Sequence, residues 1–244
     1  MISPDKLIPA SLTLALSLLP MTAISGTGSM AMAPAIQATA ETSTPPSATL
    51  KRDEAVKQAS PRLGHGDPVA GETKAALCFG CHGTDGSSTE TRVPKLSGQY
   101  ADYIVKEVRN FRSLARKHQI MYGIALSVPE DDVADIAAYF ASRPIMQADL
   151  QTDSPAGKKL FEQGDHSRTI VACKNCHGDD GRGRFNENPT FPVIGGQHKD
   201  YLLMQLTRFK HGDRGNSPGG IMNITTQKLE DTELEALANY IAGL

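Results

Sequence analysis

All four cysteines of this 244-residue chain fall in two strings of one pattern, Cys78-Phe79-Gly80-Cys81-His82 and Cys173-Lys174-Asn175-Cys176-His177. The strings belong to an internal repeat. Cys78 and Cys173 are 95 residues apart, as are His82 and His177; Gly98-Gln99 and Gly196-Gln197 are 98 apart. Met121 and Met222 are 101 apart, as are Tyr139 and Tyr240. The offset grows in two small steps, as expected of two copies with short loop insertions. The chain is therefore limited to two like units of roughly 80–95 residues behind an N-terminal extension.

The extension reads as a targeting segment. Residues 7–19 are apolar apart from Ser11, Thr13 and Ser17, and Lys6 precedes them. That run is too short to span a bilayer comfortably (about 20 residues are needed) and matches the apolar region of a secretory signal peptide. Ala38-Thr39-Ala40 offers a small-residue cleavage site, so residues 1–40 are expected to be a signal peptide, with an uncleaved anchor as the alternative. Residues 41–66, with Pro45, Pro46 and Pro61, read as a flexible lead-in. The first domain is then 67–141, the linker 142–154 and the second domain 155–244.

Each copy reads as three helices, and no period-2 strand is visible. Asp67-Pro68 and Ser154-Pro155 pair a capping residue with proline at the first helical position. Ile104, Val108 and Phe111, and their counterparts Leu202, Leu206 and Phe209, form the i, i+4, i+7 stripe of a buried face. A last helix carries Val133, Ile136, Ala137 and Phe140 in one copy, and Leu234, Leu237, Ala238 and Ile241 in the other. Ser127 with Glu130 is expected to form a capping box in the first copy, whereas the second has Lys228 in place of Ser. The second copy also carries about nine extra residues, Gln163 to Val171.

Cys-x-x-Cys-His is the attachment signature of c-type haem. The two thiols add across the two vinyl groups of one porphyrin, and the histidine that follows supplies an imidazole to the iron. A haem in each unit would also explain a thin composition, with 39% hydrophobic residues, 5% aromatics and no Trp, because the porphyrin supplies apolar core to a small domain. Disulfides leave the two adjacent histidines unexplained. Structural zinc usually takes its ligand pairs from a shorter segment, and thioredoxin-like chemistry wants a βαβ context.

A low-spin electron-transfer haem takes a second axial ligand, often Met. Met1, Met21, Met30 and Met32 lie in the extension and Met146 in the linker, while Met204 falls mid-helix, where gap filling is the usual role. Met121 and Met222 remain, at matching places in the loop before the last helix; His118 and His211 are rivals that do not align with each other. His65, His166 and His198 read as surface or loop residues. The proximal imidazole needs an acceptor to orient it. Pro94 and Pro192 are candidates for giving a backbone carbonyl, with a plain turn as the other reading.

Together these strings resemble class I c-type cytochromes, and specifically the duplicated, dihaem cytochrome c4 family. The resemblance covers roughly residues 67–244 and rests on Cys78–Gly86, Pro94–Tyr100, Asp132–Ser142, Cys173–Gly183, Gly195–Tyr201 and Leu234–Leu244. It implies an all-α fold of two cytochrome c domains related by pseudo-twofold symmetry. It implies covalent haem c at Cys78/Cys81 and at Cys173/Cys176, with His82/Met121 and His177/Met222 as axial pairs. It also implies a periplasmic electron carrier that exchanges electrons with respiratory redox proteins, namely a quinol-oxidising complex and a terminal oxidase or reductase; membrane association through the N-terminus is left open.

With both axial positions filled no open site for substrate exists, so an electron carrier, not an enzyme, is expected. The alternative is the haem subunit of a larger dehydrogenase, as in flavin-linked sulfide oxidation. No cysteine is spare for a thiolate-ligated enzyme site, and a gas sensor would need an open or displaceable ligand. A net charge of −2 excludes the long basic face of a sequence-independent nucleic-acid binder and leaves docking to local patches.

Overall fold

A computed structural model describes residues 65–149, 153–184 and 188–244. Residues 1–64, where a signal peptide and most of the lead-in are expected, lie outside the described residues. Among the described residues the chain is helical, without strands. The strand-like pairings among them are two isolated bridges, Arg116 to Arg214 and Asp165 to Ile170.

The first copy contains α1 (Pro68–Lys74), α2 (Ala76–His82), α3 (Ala101–Arg112), α4 (Gln119–Ser127) and α5 (Glu130–Ser142). The second contains α6 (Pro155–Gln163), α7 (Lys174–His177), α8 (Lys199–His211), α9 (Ile221–Thr226) and α10 (Asp231–Ala242). The three helices expected per copy are therefore present with two more added, α2 and α4 in the first copy and α7 and α9 in the second. In each copy the first and last helices cross, α1 on α5 and α6 on α10, and the long middle helix packs on the last. The crossing depends on glycine. A Cβ on Gly71 would lie 2.0 Å from the Asp135 carbonyl oxygen, and one on Gly157 would lie 2.0 Å from that of Ala236. The cores behind these crossings hold Phe140 with Ile136 and Ile104, and Phe161 with Leu234 and Leu237.

The caps differ from expectation in instructive ways. Asp67 does cap α1, accepting from the Val69 and Ala70 amides. Ser154 occupies the cap position of α6, but its hydroxyl donates instead to the Ala236 carbonyl at 2.8 Å, tying α6 to α10. Ser127 ends α4 and bonds back to Gly123, while Glu130 is taken by Arg109 and Arg112, so the first copy has no capping box at α5. The box is in the second copy, formed by Glu230 and Glu233. The nine-residue insertion is a built element too. Asp165 and Ile170 exchange backbone bonds, and Arg168 bridges Asp165 to Glu233 on α10.

The two copies meet through reciprocal contacts. The Gln99 side chain accepts from the Val193 amide and donates to the Val193 carbonyl, at 2.9 and 2.8 Å. Gln197 does the same to Lys95, at 2.9 Å for both bonds. Residue i on one side meeting residue j on the other, and the equivalent of j meeting the equivalent of i, is the signature of a twofold interface. Met146, read as a linker residue, is buried in this seam with Tyr100 and Val193. His198, read as a surface or loop residue, is buried there as well. Its Nε2 lies 2.8 Å from the Ser88 carbonyl oxygen and its Nδ1 lies 2.8 Å from the Asp149 carboxylate.

Candidate functional site

Each Cys-x-x-Cys-His string forms a short helix that ends at its histidine, α2 at His82 and α7 at His177. The following glycines, Gly83 and Gly178, take φ near +80°, a conformation L-residues with a Cβ adopt only with strain. They turn the chain away and leave the imidazole at the helix end. A second turn comes up beside it. The amides of Leu96 and Ser97 bond to the Gly86 carbonyl, and those of Ile194 and Gly195 bond to the Gly181 carbonyl. These turns are pinned to the last helices, Gly98 to Phe140 and Gly196 to Ile241.

The result is the same in both copies. His82 Nδ1 lies 2.9 Å from the Pro94 carbonyl oxygen and His177 Nδ1 lies 3.0 Å from that of Pro192. A carbonyl only accepts, so Nδ1 carries the proton and Nε2 holds the lone pair. Burial lowers the pKa of both histidines, partly offset by the carbonyl bond, and keeps the imidazoles neutral. Neither Nε2 has a hydrogen-bond partner among the described residues. Both rings face a cavity of about 410 Å³. A buried, neutral, oriented imidazole with its second nitrogen free is the form that ligates a metal.

The thiols and methionines line the same cavity, which runs continuously across the seam between the copies. Cys78, Cys81 and Met121 belong to its wall on one side, Cys173, Cys176 and Met222 on the other. None of the four cysteine sulfurs is in a disulfide. Burial pushes the Cys78 and Cys173 thiols up to about 11, so neither is a thiolate at neutral pH and nucleophilic or thiol-exchange chemistry is disfavoured. The methionines are not in loops as expected. Met121 is in the first turn of α4, and Met222 in the first turn of α9. Of the rival ligands, His118 shares the wall, but it caps α4 by accepting from the Met121 amide at 3.3 Å. His211 ends α8 and is not part of the cavity wall.

A largely apolar cleft carrying two thiols, one free imidazole nitrogen and a thioether fits an iron porphyrin in each copy. Sequence reasoning missed the polar residues between the clefts, although Gly98-Gln99 and Gly196-Gln197 were visible as repeat landmarks. Those residues act on the opposite copy, and nothing local announces that.

Comparison with known proteins agrees with this geometry. The cytochrome c family profile matches residues 69–144 and 154–244. The chain is 38% identical to cytochrome c4 of Pseudomonas aeruginosa over 181 residues, covering 73% of this chain and 89% of that protein. It is 31% identical to a thiosulfate dehydrogenase electron acceptor of Thiomonas intermedia, covering 72% of this chain and 82% of that one. The crystal structure of reduced recombinant cytochrome c4 from Pseudomonas stutzeri superposes with a TM-score of 0.69 at 36% identity, over 73% of this chain and 99% of that chain. Two histidine-terminated helices, two cysteine pairs and one doubled fold thus have a common explanation: the chain belongs to the cytochrome c4 family, electron-transfer proteins with two covalently attached haems, here at Cys78/Cys81 and Cys173/Cys176.

Proposed function

We propose that this chain is a periplasmic carrier of a respiratory chain in which His82 and Met121 ligate one iron and His177 and Met222 the other. The observation that supports it most is the repetition of one arrangement, an imidazole locked by a proline carbonyl with a methionine on the wall of the same cavity. When bound, each haem supplies a one-electron couple. The chain's own part would be to offer His82 and Met121 to one iron and His177 and Met222 to the other, to keep water away through Ile104, Phe111, Leu202 and Phe209, and to hold His82 and His177 by Pro94 and Pro192. Transfer is then outer-sphere, and methionine ligation raises the potential relative to two histidines. Electrons would come from a quinol-oxidising complex and leave to a terminal oxidase or reductase.

The test is spectroscopic. Oxidised protein with methionine-ligated iron shows the far-red sulfur-to-iron charge-transfer band. Met121→Ala and Met222→Ala should each remove about half of it. A band unchanged by either substitution sinks that ligand assignment.

A second reading has the chain accept electrons from a dehydrogenase, as a free acceptor or as its haem subunit. The resemblance to a thiosulfate dehydrogenase electron acceptor favours it. Co-purification with a dehydrogenase and reduction by its substrate would select this reading over a quinol-linked one.

A further inference from the structure

Between the two clefts lies a buried polar cluster that the anchoring and axial residues do not use. Equivalent positions enter it in pairs 98 residues apart: Tyr103 with Tyr201, Arg116 with Arg214, and Glu107 with Gln205. Arg116 donates to the Tyr201 hydroxyl at 2.9 Å, and Arg214 to that of Tyr103 at 3.1 Å. Both guanidiniums also reach Gln205 Oε1, at 2.9 and 2.8 Å, and Glu107 Oε2, at 2.7 and 3.3 Å. Across these three pairs the cluster departs from twofold symmetry at one functional group, since one copy supplies a carboxylate where the other supplies an amide.

That carboxylate is heavily engaged. Lys106 approaches it at 2.6 Å, and the Asn216 amide lies 3.0 Å from both of its oxygens. Three cations, Lys106, Arg116 and Arg214, thus face a single anion. Burial alone would push the Glu107 carboxyl up, but the two arginines and Lys106 bring it down to about 2, so it is charged at neutral pH. Glu107, both arginines, Gln205 and both tyrosines line the haem cavity. Charge placed there acts on the irons through a poorly screened medium.

We propose that Glu107 is a redox-tuning residue, whose buried carboxylate lowers the midpoint potentials of both haems relative to an amide in its place. An oxidised iron centre carries one more positive charge than a reduced one, so an anion in the seam favours oxidation. At an effective dielectric constant of about 20, two unit charges ~12 Å apart interact strongly enough to change an equilibrium about tenfold. Tenfold is about 59 mV for one electron. The inference rests on the two covalent haems but not on the identity of their sixth ligands.

The test is a spectroelectrochemical titration of the intact dihaem protein at fixed ionic strength, as wild type, Glu107→Gln and Gln205→Glu. Glutamine is already accommodated at the equivalent position, and Gln205→Glu places a carboxylate against the same two arginines. Glu107→Gln should raise both potentials and Gln205→Glu should lower both, by several-fold to about tenfold in the reduction equilibrium. Potentials that stay at the wild-type values, or that move the same way in both variants, overturn the proposal, because general loosening of the seam has no reason to follow the sign of the charge. The far-red band reads the axial ligands separately, so failure of the methionine assignment and failure of this inference give different results.

Discussion

Glu107 is charged inside a seam that otherwise penalises charge, and that has a consequence for acid stability. Its folded pKa of about 2 lies below the ordinary 4.5 because Arg214, Arg116 and Lys106 outweigh burial. The unfolded chain therefore binds this proton more readily than the folded one. By linkage the contribution is fully present above about pH 4.5 and is lost as the pH falls toward about 2. We expect the Tm of the wild-type protein to fall more steeply across that window than that of Glu107→Gln, measured by calorimetry at a series of pH values. Parallel curves would show that another carboxylate governs the acid limb. At this scale the haem-anchoring residues were legible because their chemistry is local, with Cys, Cys and His fixed within five positions. His198 was not, because its burial is created by Ser88 and Asp149, which lie far from it in sequence.

Helices were legible where apolar period and length agreed, as in α3, α5, α8 and α10. What the pattern could not convey is how closely they approach. Gly71 and Gly157 have no side chain to mark a core position, yet each lets one helix lie on the backbone of another. Gly157→Ala would drive a Cβ into the Ala236 carbonyl and separate α6 from α10. Overpacking of this kind costs about 1–3 kcal/mol or more. Gly123, inside α4, has nothing within 4 Å of the place a Cβ would take, so Gly123→Ala should be neutral or stabilising by up to about 1 kcal/mol through helix propensity. Thermal unfolding of the two variants checks both signs, and a destabilisation no greater for Gly157→Ala than for Gly123→Ala would remove the crossing argument. The misplaced capping box has a similar origin. Ser127-x-x-Glu130 satisfies the local rule, but Arg109 and Arg112 compete for the glutamate across the fold, and α4 claims the serine.

For the molecule as a whole, the duplication was plain from the spacing of landmarks, but how the copies join was not. The joining residues are glutamines whose partners lie 94 and 102 positions away, and no periodicity reports such a pairing. Each glutamine amide replaces the hydrogen bonds that a buried backbone segment of the other copy would otherwise lack. Leaving such groups unpaired costs about 1–3 kcal/mol each. Gln197→Leu removes the partners of the Lys95 amide and carbonyl together; Gln99→Leu does the same to Val193. The local packing around α5 and α10 is untouched by either change, so the haem domains themselves should stay folded while their coupling weakens. We therefore expect wild-type protein to unfold in one calorimetric transition and the double variant Gln99→Leu/Gln197→Leu in two, with the single variants intermediate. Because the surrounding arginine cluster and the His198 contacts remain, separation should be more complete at low pH, where protonation of Glu107 removes its charge from the seam. One transition at an unaltered Tm in the double variant would mean that the glutamine clamps do not couple the domains.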